Sequence, residues 1–82
     1  MENKNTDFDL KSEIYNFLTK NRNMEYTADE ILKSMNISLD DYFTLHIDLA
    51  RLIWEGKIKY RDIIDQNGKI KRFYSIDEGP RK

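Results

Sequence analysis

Among its 82 residues the chain has no cysteine, one proline, three glycines, one histidine and one tryptophan. Each scarcity closes off a class of protein. Without cysteine there is neither a disulfide framework nor a thiolate metal site, and His46 alone cannot build a histidine cluster. No apolar run comes near the roughly 20 residues that a membrane span requires. The first residues, MENKNTD, lack the basic start and apolar centre of a signal peptide, so a cytoplasmic protein is expected. There is no phosphate loop, nucleophile motif or metal-ligand spacing. Neither enzyme activity nor a cofactor is expected.

What is there is an ordinary globular composition, 39% hydrophobic and 35% charged. The length allows one small domain, close to the size at which burial only just exceeds conformational entropy. A formal net charge of −1 conceals a split. Residues 1–56 carry 6 Lys/Arg against 11 Asp/Glu, whereas residues 57–82 carry 8 against 4. The C-terminal third is therefore the part suited to an acidic partner.

Residues 1–7 have no periodicity and read as a tail; 8–77 read as the domain, and 78–82, with Gly79-Pro80, as a second tail. Leu10, Ile14, Phe17 and Leu18 repeat at helical spacing, with Asp7 or Asp9 as cap, and this helix should end near Lys20. Thr27 and Glu30 form a capping box, with Tyr26 and Ile31 as its hydrophobic staple, so a second helix starts at Ala28. Its apolar face is Ile31, Leu32 and Met35, and Asn36 suits its end. Ser38 to Gly56 reads as one long helix, capped by Ser38 with Asp41 reaching back, stapled by Ile37 and Tyr42, and closed by Gly56. Tyr42, Leu45, Leu49, Leu52 and Ile53 form its core face. Phe43, Ile47, Ala50 and Trp54 fall on the opposite side.

After Gly56 the pattern becomes a hairpin. Residues 57–61 alternate charged with apolar, Asn67-Gly68 signals the turn, and Ile70 to Ile76 return. A two-residue turn at Asn67-Gly68 would put Ile58 and Tyr60 on the face opposite Tyr74 and Ile76. A bulge near Arg61 or Asp62 would unite them, with Tyr60 opposite Tyr74 and Ile58 opposite Ile76, and that bulge is expected.

Three helices and a two-stranded hairpin, in that order, make an α+β winged helix-turn-helix. The pieces TADEILKSMNIS, LARLIWEGKI and KRFYSIDEG resemble the helix-turn-helix and wing segments of small regulators of the MarR, PadR and ArsR type. In those families two leucines three apart precede a glycine that opens the wing, and a tyrosine-x-leucine run closes it; Leu49, Leu52, Gly56, Tyr74 and Ile76 match. These are fold-determining positions. The resemblance implies binding to double-stranded DNA and transcription regulation, with the third helix in the major groove and the wing on phosphates or in the minor groove.

The hairpin fits that role through Lys57, Lys59, Arg61, Lys69, Lys71 and Arg72. The plainer reading of the same residues is a solvated edge strand that its lysines protect from aggregation. The third helix fits less well. It carries Asp40, Asp41, Asp48 and Glu55 against Arg51 alone, and only Thr44, Asp48 and Arg51 share a side able to reach bases or phosphates. His46 reads as a packed or surface histidine. The outer stripe Phe43, Ile47, Ala50 and Trp54 has two explanations. It could be covered from within, Trp54 lying under Phe73 and Ile64 and Phe43 under the first helix or the tails. Alternatively it is a protein-docking face, most simply for a homodimer.

Overall fold

The computed structural model describes residues 9–77. Helix α1 spans Leu10–Lys20, α2 Ala28–Ser34 and α3 Tyr42–Trp54, and the strands β1, Ile58–Ile64, and β2, Ile70–Ile76, form an antiparallel hairpin. This is the winged-helix arrangement that the sequence predicts. The expected tails and Asp7 lie outside the described residues.

Local chemistry sets most of the boundaries. The capping box of α2 forms as expected: the Glu30 amide donates to Thr27 Oγ1 at 3.1 Å, and the Thr27 amide donates to Glu30 Oε1 at 2.9 Å. Asp9 stands at the start of α1, but its carboxylate accepts from Ser12 Oγ at 2.8 Å and caps no backbone amide. At the end of α2 the Ile37 amide bonds to the Leu32 carbonyl and the Asn36 amide to the Lys33 carbonyl, with Asn36 at φ 57°. Two such bonds around one left-handed residue make a Schellman stop, and asparagine tolerates that conformation. Gly56, at φ 77°, does the same for α3 through Lys57 to Leu52 and Gly56 to Ile53.

Two expectations need correction. The third helix is not continuous from Ser38: a 3-10 turn, Leu39–Asp41, precedes it, and α3 proper begins at Tyr42. Ser38 Oγ accepts from the Asp40 amide at 3.1 Å, two residues on, and Asp41 makes no reciprocal cap. A bond of that span closes a tight turn, so the chain enters α3 through one.

The hairpin pairs Ile58 with Ile76, Tyr60 with Tyr74 and Ile64 with Ile70 in unbroken register, with no bulge at Arg61 or Asp62. The expected pairs are present, and the extra residue that permits them lies in the turn. The Gly68 amide donates to the Asp65 carbonyl at 3.0 Å and the Asp65 amide to the Lys69 carbonyl at 2.8 Å, leaving a three-residue loop with Gly68 at φ 80°. That is a type I turn followed by a left-handed glycine, the usual three-residue hairpin. The Asp65 carboxylate reinforces it by accepting from the amides of Asn67 and Lys69.

The core draws on all the elements. Leu10, Ile14 and Leu18 from α1, Ala28, Ile31 and Leu32 from α2, Leu45, Leu49 and Leu52 from α3, and Ile58, Tyr74 and Ile76 from the hairpin are buried together. Tyr26 bonds through its backbone to Tyr74 in both directions, fastening the loop before α2 to the free edge of β2. Among the described residues no helix is long and apolar enough to cross a membrane.

Candidate nucleic-acid and docking surfaces

Pairing register decides which way each cation of the hairpin points. Lys59, Arg61 and Lys71 lie on one face of the ribbon, while Tyr60, Asp62 and Arg72 lie on the other. The six cations that look equivalent in sequence divide into two groups. Arg61 reaches over the ring of Phe73, 5.9 Å from its centroid, to hold Glu25 through two hydrogen bonds at 2.6 and 3.1 Å. This clamp holds the Glu25 carboxyl below the usual carboxylate range. Arg72 makes a bidentate pair with Asp62 at 2.7 and 2.9 Å and stacks 4.0 Å above the Tyr60 ring. Lys57 lies 3.6 Å from Glu55 and 5.6 Å over the Tyr15 ring. Lys59, Lys69 and Lys71 are exposed and form no ion pair among the described residues.

Of the acids on and beside α3, Asp40 and Asp41 are exposed ahead of it, whereas Glu55 is paired and Asp48 is buried. Glu55 takes a 2.6 Å hydrogen bond from Lys11 at the start of α1, which with Lys57 pulls its carboxyl below the usual range. Asp48 is buried, and burial pushes its carboxyl up, with only partial relief from Arg51. Asp48 is thus removed from the side that Thr44 and Arg51 expose, and the three do not form one reading surface. His46 is half-buried and packs edge-on against Tyr42 with ring centroids 4.6 Å apart.

The stripe turned away from the core is bare. Trp54 is 90% exposed, Phe43 80% and Ile47 53%, and Ala50 between them is exposed as well. Trp54 therefore does not lie under Phe73 and Ile64, and among the described residues nothing covers Phe43. Cover by the hairpin or the first helix fails because Gly56 turns the chain so that β1 runs into the core through Ile58, leaving the outer side of α3 open, while the tails lie outside the described residues. Contiguous apolar surface of this kind is uncommon on soluble monomers.

A second groove lies between the start of α2, the start of α3 and β2, lined by Asp29, Tyr42, His46, Lys71, Arg72 and Tyr74 among others. Its charges are mixed, and burial raises the Tyr74 hydroxyl.

Sequence reasoning missed the two arginine clamps, the Lys11 to Glu55 link and the exposed Leu39 ahead of α3. Each depends on residues brought together only by the fold; the one local signal was the alternation that sets Asp62 and Arg72 near a common turn. In comparisons with known proteins the chain matches no family model, no curated protein and no solved structure.

Proposed function

We propose that this winged helix binds double-stranded DNA as a small cytoplasmic regulator, holding the phosphate backbone with its hairpin and not reading bases with α3. The observation that carries this reading is the trio Lys59, Lys69 and Lys71, exposed on a projecting hairpin and not neutralised by any ion pair among the described residues. Free cations release counterions from DNA; arginines already clamped to Glu25 and Asp62 do so less readily. Resemblance to the MarR, PadR and ArsR regulators points the same way. Two of the four acids are less of an obstacle than they look, since Asp48 is buried and Glu55 is tied to Lys11, whereas Asp40 and Asp41 stay exposed at the start of α3, a further reason to place the contact on the hairpin.

Gel retardation of random duplex DNA across a salt series tests the proposal. Three neutralised phosphates give a slope of log affinity on log salt of about −2.7 per domain. Replacing Lys59, Lys69 and Lys71 together with Glu should abolish the shift while leaving the helical signal intact. Binding that survives this change places the contact elsewhere or removes it from the hairpin altogether. The bareness of Phe43, Ile47 and Trp54 favours a second reading, a protein-docking module built on α3.

A further inference from the structure

We infer that the exposed face of α3 pairs with the same face of a second copy of this chain, the two helices running antiparallel about a two-fold axis midway between Ile47 and Ala50. This rests on the docking surface alone and holds whether or not the hairpin binds DNA. Phe43, Ile47, Ala50 and Trp54 are separated by four, three and four residues, intervals that are the same in either direction. At about 100° per residue they fall within about 60° of arc, and at about 1.5 Å per residue they extend over about 16 Å. Turning one such helix end for end and laying it on another brings Phe43 opposite Trp54 of the second copy and Ile47 opposite Ala50. The same two layers then repeat beyond the axis. The small Ala50 leaves room for Ile47, and the aromatic pair closes each end. This is heptad-type layering over about one and a half turns on each side of the axis, and it satisfies the rule of a two-fold contact, in which residue i meets j and j meets i.

The surface around the stripe agrees with this register. Lys11, Ile47, Ala50, Arg51, Trp54 and Glu55 line an open depression between α3 and the start of α1. It lies at the end of the stripe where Phe43 of the second copy arrives. Exposed Asp40 and Asp41, ahead of Phe43, travel with it toward a cluster in which Lys11, Arg51 and Lys57 outnumber the Glu55 that Lys11 and Lys57 hold, so an acidic end meets a net basic end twice. Aromatic side chains of this size bury about 150–250 Å² each. With Ile47 and Ala50 each copy contributes about 500 Å², and the total of about 1,000 Å² is at the lower bound for a specific interface. The dimer is therefore weak and concentration-dependent.

Sedimentation of the full chain over a concentration series should show conversion from 9.9 kDa to twice that mass. Ile47→Asp and, at a more exposed position, Phe43→Asp should each raise the dimer Kd at least about tenfold, because each would desolvate a carboxylate, with unchanged circular dichroism. The absence of native cysteine allows the direction to be tested: Phe43→Cys and Trp54→Cys chains, mixed and oxidised, should cross-link to each other in preference to themselves. The inference is overturned by a protein that stays at 9.9 kDa up to millimolar concentration. It is equally overturned by a dimer that both aspartate variants leave intact, or by self-linking of the Phe43→Cys chain in preference to the mixed product.

Discussion

The two faces of α3 are chemically alike and physically opposite. Leu45, Leu49 and Leu52 are 0 to 1% exposed, whereas Phe43, Ile47 and Trp54, on the other side of the same thirteen-residue helix, stand largely in solvent. Apolar character alone therefore does not say where a side chain goes. What separates the faces is the route of the chain on either side: Ile58 and Ile76 close over the inner leucines, and no described segment returns across the outer ones.

The contrast can be broken by truncation. Leu49→Ala should destabilise the domain by about 2–5 kcal/mol, the range for a buried leucine whose cavity cannot fully collapse. Phe43→Ala, followed by denaturant unfolding of protein dilute enough to be monomeric, should change stability by no more than about 0.5 kcal/mol. Equal losses at the two positions would mean that the outer face is packed. Between these extremes stands Gly56, which directs the chain from α3 into β1. Gly56→Ala should cost about 1–2 kcal/mol, since φ 77° strains any L side chain there even though the space is open.

Asp48 sits at the seam between the faces and gives a smaller, pH-dependent effect. Its carboxyl is raised by burial in the folded state, so the native protein binds a proton more readily than the unfolded chain. The contribution of Asp48 to stability therefore falls as pH rises from about 4 toward its folded value. Glu25, Glu55 and Asp62 act in the opposite direction, because their hydrogen bonds from Arg61, Lys11 and Arg72 hold them low and are lost as acid protonates them. Asp48→Asn should raise the melting temperature at neutral pH and have no such benefit below about pH 4. An equal rise at both pH values would indicate a packing effect unrelated to ionisation.

Legibility in the sequence followed the range of each interaction. Thr27 and Glu30 were recognisable because both bonds of the box lie within three residues, and Leu10, Ile14 and Leu18 because one face of a helix repeats locally. The start of α3 was misplaced because Ser38 can bond two residues ahead or three, and the choice belongs to the packing of the 3-10 turn. In the hairpin, the apolar pairing itself was foreseen from Ile58, Tyr60, Tyr74 and Ile76; only the position of the extra residue was misjudged, because Asp65 closes a longer turn than Asn67-Gly68 suggests. The cations were least legible. Glu25 lies 36 residues from Arg61, and no pattern in the chain announces that they meet.

The two faces of α3 can be compared most directly through Trp54, the only tryptophan, by following its fluorescence as the protein is diluted. Indole emission should be that of a solvated ring at the lowest concentrations and shift to the blue as copies associate, with Ile47→Asp abolishing the shift. Blue emission independent of concentration would show the stripe covered within one chain, and solvated emission at every concentration would show that no second copy covers it.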